Sequence, residues 1–232
     1  QVIFYLKYFV FIRELLRDSS TDIPEFLNEI IFYLGQSFNF YFEEDDGIFL
    51  FNGNHNLNTT GFKKYLKEHG YKFKNKFNSV GGYSILKNKK DTIIVDFGPT
   101  PDKKYSADYQ SGALSLEIFH NKEKVITNCG YFQNYNHKLN ILSKSTAAHS
   151  TLSIDDRSSC KFKKDKLGYF SLENALKVTN KKVYHDDEIW EIHGTHDGYL
   201  KEYGILHQRS IKFFPKEFKY VGEDIIISKK NF

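Results

Sequence analysis

The sequence predicts an α+β chain, helical at the start and then built of many short antiparallel strands, as in a β-sandwich or stacked-sheet assembly. Three observations predict it. Apolar residues recur at spacings of three and four as far as Leu66, alternation of period two takes over after Gly81-Gly82, and 22 Phe and 16 Tyr crowd the runs that also hold Val, Ile and Thr. The change of period places the boundary after the polar, basic stretch Lys72 to Asn78, giving parts 1–78 and 79–232.

Val2 to Leu16 is apolar nearly all round, the pattern of a helix packed among other helices. Its stretch Val2 to Ile12, broken only by Lys7, is short of the about 20 residues that a membrane crossing needs, so a buried helix is expected. Ser19, Ser20, Thr21 and Asp22 form a capping cluster, and Pro24 sits where a first helical turn tolerates it. Phe26, Leu27, Ile30, Ile31 and Leu34 then carry a second helix to about Gly35. Asp45-Asp46-Gly47 marks a turn before the apolar run Ile48 to Phe51. Asn58 and Thr59 can cap a third helix, with Phe62, Tyr65 and Leu66, that ends at Gly70.

In the later part, Tyr83 to Leu86 and Thr92 to Phe97 flank the polar tip Lys87-Asn88-Lys89-Lys90-Asp91, a hairpin signature. Leu114 to Phe119 and Lys124 to Asn128 repeat it around His120-Asn121-Lys122-Glu123. Further strands are expected at Ser150 to Ile154, Glu173 to Tyr184, Ile189 to Gly194, Leu206 to Phe213 and Tyr220 to Ile227.

Thirty-three Lys plus Arg against 29 Asp plus Glu give +4, a mild attraction for polyanions and not the dense basic stripe of a nucleic-acid binder. The chain starts at Gln1 and has no Met, so it is expected to be a processed or excised piece of a longer protein. Cys129 and Cys160 allow one disulfide or two free thiols, and counting favours free thiols. There is no glycine-rich phosphate loop, Cys-x-x-Cys pair, Gly-x-Ser-x-Gly elbow or His-Glu-x-x-His, which argues against nucleotide chemistry and serine hydrolysis.

Several stretches carry a family resemblance. They are Asp96-Phe97-Gly98-Pro99, Tyr109 to Ile118, Val125 to Gly130, Lys144-Ser145-Thr146-Ala147-Ala148-His149-Ser150-Thr151, His196 to Tyr199 and Gly204 to Arg209. In that order they resemble the C-terminal domain of heparinase II/III-like polysaccharide lyases, most closely the branch found in alphaproteobacteria. The resemblance implies that the helical beginning is the end of an α/α toroid and that the rest is the family's antiparallel β-sandwich. In the family a His, an Asp and a His bind zinc at the positions that here read Gln110, Asn128 and His149. Neutral amides are poor zinc ligands, so no cofactor is expected, and the three side chains should bond one another or water.

His149 is the expected catalytic residue. From the residues alone a His among small hydroxylated neighbours is equally well a group bracing a loop. Lys144 stands where the family commonly has Arg and would meet a uronate carboxylate or sulfate, or else be a solvated surface lysine. Gln110 and Asn128 would complete the polar wall. Asn52, Asn54 and His55 lie in a loop that borders the cleft in the family and would bond sugar hydroxyls, unless they form a plain Gly-Asn turn. His196 and Asp197 are expected in a turn, His207 and Arg209 in a cross-strand contact, and Glu117 in an ion pair or hydrogen bond to a neighbouring strand.

The resemblance implies a lyase that cleaves acidic, uronate-containing glycans by β-elimination. This segment would supply one wall of the cleft and be inactive alone, because the family's proton-transferring Tyr and His lie upstream. The partner would be an acidic polysaccharide, with no nucleic acid and no membrane span, in the periplasm or cell envelope. The replaced zinc ligands keep open a non-catalytic glycan-binding or structural protein on the same scaffold.

Overall fold

The computed structural model describes residues 2–42, 49–54, 59–74, 78–166 and 168–229, which fall into two compact units. Residues 49–54 count with the second unit although they precede the third helix. The first unit holds helices α1 (Val2–Asp18), α2 (Glu25–Phe42) and α3 (Thr60–Glu68). Leu6 and Val10 of α1, Leu27, Ile31 and Phe38 of α2 and Leu66 of α3 form its core.

Two helix expectations need correction. Helix α2 continues past Gly35 to Phe42, because Gly35 is a packing position and not a terminator. A Cβ there would lie 2.0 Å from the ring of Phe73. Helix α1 buries only the stripe Leu6, Val10 and Glu14, leaving Phe4, Tyr5, Tyr8, Phe11 and Leu15 about half exposed. Among the described residues no helix is long and apolar enough to cross a membrane.

The second unit is sheet-rich. After the short β1 (Ser79–Val80), which ends the first unit, strands β2 (Tyr83–Lys87), β3 (Asp91–Asp96), β4 (Leu116–His120) and β5 (Glu123–Ile126) form one sheet in that order. Strands β8 (Val178–His185), β9 (Trp190–His196), β10 (Ile205–Phe214) and β11 (Lys219–Ser228) form another, ordered β11-β10-β9-β8. A two-stranded hairpin, β6 (Phe162–Lys164) and β7 (Phe170–Leu172), lies between them in sequence.

From β2 to β11 the neighbouring strands of each sheet pair antiparallel, as short hairpin connections require. Register then sorts the faces. Ile93 opposite Ile118 and Val95 opposite Leu116 project to the same side of the first sheet, and Trp190 opposite Phe213 does so on the second. These residues share one core with Leu86, Ile192 and Val178, so apolar faces of both sheets meet as in a sandwich.

Ser150 to Ile154 is not a strand; it is irregular, with an isolated bridge from Ile154 to Arg157. Its hydroxyls take the backbone partners instead: Ser150 Oγ bonds the backbone of Leu116, and Thr151 Oγ1 donates to the carbonyl of Ala113 at 2.9 Å. The expected strand from Glu173 begins only at Val178, because Leu176 exchanges its backbone bonds with Thr100. Helix α4 (Lys138–Lys144) and hairpin β6–β7 carried no clear period and were not expected. Both cysteines are free thiols.

Candidate functional site

The order of elements brings Gln110, Asn128 and His149 into one buried region, though 39 residues of chain separate the first from the last. Gln110, on the irregular approach to β4, is fully buried and spends its whole amide on protein. Its Oε1 accepts from Gly53 N at 3.1 Å, and its Nε2 donates to the carbonyls of Gly130 at 3.0 Å and Ser143 at 2.6 Å. Asn128, just after β5, accepts from Ser150 N at 2.9 Å through Oδ1, while its buried Nδ2 has no partner. The side chains therefore bond the backbone around them and not one another, which corrects the expected mutual network.

His149 follows the 3-10 turn Thr146–Ala148 and is 8% exposed. Neither of its ring nitrogens meets a protein partner at hydrogen-bonding geometry. Burial pushes its pKa down to about 4, offset only in part by the backbone of Ser143, so the imidazole is neutral at neutral pH. Beside it lies Gly112, where a Cβ would sit 3.3 Å from His149 Cγ and 3.0 Å from Ser115 Oγ. Ser115 Oγ is buried and also unpartnered. A side chain at Gly112 would thus crowd both the imidazole and this hydroxyl.

These atoms do not fit a zinc ion. The amide oxygens of Gln110 and Asn128 are already taken by backbone N–H groups, and the group left over on Asn128 is an NH2, which has no lone pair to give. One imidazole and one hydroxyl are what the region offers.

Lys144 is placed otherwise than expected. It has no exposed surface, and its ammonium donates to the carbonyls of Ala107 and Tyr109, the latter at 3.0 Å, between the rings of Tyr131 and Phe162. Burial lowers its pKa to about 8, with Asp108 opposing. It is an internal brace with nothing left to present to an anion at the surface. Asn52 donates to Tyr83 and Asp96 and accepts from Gln110 N at 3.0 Å, and Asn54 donates to the carbonyl of Phe49, so both amides hold their own loop together. Both keep partial exposure. His55 lies outside the described residues.

A second polar cluster holds Asp96, which the sequence did not single out, and Glu117, which pairs with Lys124 of the neighbouring strand as expected. Asp96, at the end of β3, is buried and takes bonds from Gly98 N at 2.8 Å and Asn52 Nδ2 at 2.9 Å. Burial still lifts its pKa to about 7. Glu117 faces away from the core of β4 and accepts from Leu50 N, Thr127 Oγ1 and Asn128 N, anchoring the loop that carries Asn52.

Two further buried histidines, His196 and His207, form a closed chain across β9, β10 and β11. Gly198 N donates to His196 Nδ1 at 3.1 Å, so His196 carries its proton on Nε2, which donates to His207 Nδ1 at 3.0 Å. His207 Nε2 then donates to Asp224 Oδ1 at 2.7 Å, and Arg209 grips both oxygens of that carboxylate at 2.8 Å. Although burial opposes it, the bonds from His207 and Arg209 hold Asp224 well below the usual carboxylate range.

The sequence matches the family model described as heparinase II/III-like, C-terminal, over residues 74–231, well over half of the chain. The chain belongs to that family. A search of curated proteins finds no match. Among solved structures, this heparinase II/III-like chain is similar to the heparan sulfate lyase HepC from Pedobacter heparinus, with a TM-score of 0.70 and 15% identity over 98% of this chain and 37% of that one. It is also similar to a heparinase III, with a TM-score of 0.64 and 16% identity over 97% of this chain and 40% of that one. At such identities the likeness is one of fold. The chain spans 37% and 40% of the length of these two structures.

Proposed function

We propose that this chain is part of a polysaccharide lyase that cleaves acidic, uronate-containing glycans by β-elimination, and that its sheet unit walls the substrate cleft around His149. The observation that carries the reading is the imidazole of His149. It is neutral, nearly buried and without a partner at hydrogen-bonding geometry on either nitrogen, the Ser143 backbone offsetting its burial in part, in a family whose members' domain it shares. Buried polar groups of a folded protein are nearly always paired, so an orphaned ring is a place where a substrate or proton-transfer partner is met.

β-Elimination needs the uronate carboxylate neutralised, the C5 proton taken, and a proton given to the leaving glycosidic oxygen. A neutral imidazole can donate a hydrogen bond to the carboxylate through one nitrogen while the other accepts. Gln110 and Asn128 fix the backbone on either side of it through Ser143 and Ser150. Lys144 keeps the carbonyls of Ala107 and Tyr109 in place behind Gln110. The exposed apolar face of α1, with Phe26 and Tyr33 of α2, fits helices that meet further helices, as at the end of an α/α toroid. A periplasmic or envelope location follows from the substrate class.

The replaced zinc ligands favour a second reading, a glycan-binding protein without catalysis. The parent protein incubated with heparan sulfate and other uronate-containing polysaccharides distinguishes the two. Rising ultraviolet absorbance from unsaturated uronate is the expected result. Binding without any such absorbance, on every substrate, would replace the lyase by the binding protein.

A further inference from the structure

We propose that hairpin β6–β7, the 134–138 loop and the 3-10 turn Lys103–Tyr105 together form a docking face for an anionic polysaccharide, made of residues other than the Gln110, Asn128 and His149 cluster. The inference rests on the acidic-glycan reading above and extends it to a second surface.

Segments 102–105, 134–138 and 161–170 carry seven lysines against two aspartates, a larger excess than the +4 of the whole chain. Lys161 is held by Glu202 at 2.9 Å. Among the described residues no acid pairs with Lys103, Lys138, Lys163 or Lys166, and all four are exposed. The three segments are joined. Leu172 N of β7 donates to Ser106 Oγ next to the turn at 2.8 Å, and the ring of Tyr169 lies 4.6 Å from that of Tyr135 in the loop.

Aromatic surface is interleaved with the charge: Tyr105 is 70% exposed, Tyr135 42% and Tyr169 39%. Lysines supply a salt-screened attraction for a polyanion, and flat amphipathic rings supply surfaces for the C–H faces of sugars. One further lysine-rich stretch, on α3, lacks the second ingredient. There Lys64 bonds Glu68, and Phe62 and Tyr65 pack into the helical core. Charge with few acid partners together with three exposed rings marks the hairpin face, and a sulfated or uronate polysaccharide suits it better than a nucleic acid or a lipid surface.

Heparin serves as the probe, with affinity measured for the 232-residue chain across a salt series. Substituting Lys163→Gln, Lys164→Gln and Lys166→Gln together should weaken binding about tenfold or more and flatten its salt dependence. Tyr135→Ala with Tyr169→Ala should weaken it several-fold at unchanged salt slope, and Lys63→Gln, Lys64→Gln and Lys67→Gln together should change it little. Circular dichroism on each variant separates loss of binding from loss of fold. Wild-type chain that ignores heparin, a hairpin variant that binds as well as wild type, an α3 variant that loses as much, or duplex DNA that competes equally at matched charge would each overturn the inference. The lyase reading is judged separately, by cleavage in the parent protein.

Discussion

Two buried histidine positions in the same unit differ in one respect, the pairing of their ring nitrogens, and on the proposed function that difference divides scaffold from site. His196 and His207 have a partner at all four ring nitrogens, ending on an Asp224 that Arg209 neutralises. His149, comparably buried, has a partner at hydrogen-bonding geometry on neither nitrogen. A saturated chain of hydrogen bonds fixes three strands in register and leaves no valence for a substrate. An unsaturated imidazole lowers stability and keeps both nitrogens free for chemistry.

The largest effect should come from breaking the saturated chain. His207→Ala leaves the Nε2 proton of His196 without an acceptor and removes one bond from Asp224, at a cost of about 3 kcal/mol in urea-induced unfolding. A loss below about 1 kcal/mol would mean that the chain is incidental. Lys144→Met comes next. It strips two carbonyls of their donor but keeps an apolar stem between Tyr131 and Phe162, so a cost of about 2 kcal/mol is expected. A surface lysine would cost almost nothing.

A third effect is one of pH. Burial depresses His149 from 6.5 to about 4 and His196 from 6.5 to about 3, so each binds a proton more weakly in the folded state than in the unfolded one. The stability they contribute is present above pH 6.5 and is lost as pH falls toward 4 and then 3. Asp96 runs the other way. Its pKa is raised from 3.8 to about 7, so its contribution is fully present below 3.8 and is lost as pH rises through 7. Thermal melts of His149→Gln between pH 7 and pH 4 should show a shallower acid loss than wild type, and those of Asp96→Asn a shallower loss from pH 4 to pH 7. Unchanged slopes would refute the assignments.

The fold was legible where period alone decides: the switch after Gly81 and the hairpins β2–β3 and β4–β5 follow from alternation. It was less legible where a distant partner decides. Gly35 looks like a helix terminator until Phe73 is seen against it, and Ser150 and Thr151 look like strand residues until their hydroxyls meet Leu116 and Ala113. The site shows the same limit. Motif resemblance located Gln110, Asn128 and His149, but one-dimensional order does not say which way a side chain points, so Lys144 read as a surface cation. The relay from His196 to Asp224 joins residues on three strands whose pairing only the folded register supplies.

The central claim is that His149 serves a substrate and His207 the fold. Its most direct test is His149→Gln in the parent protein, with urea stability and formation of unsaturated uronate measured on one preparation. With the side-chain volume nearly kept, stability within about 1.5 kcal/mol of wild type is expected, with cleavage reduced at least about a hundredfold. Cleavage at the wild-type rate, or an activity loss explained by unfolding, would contradict it.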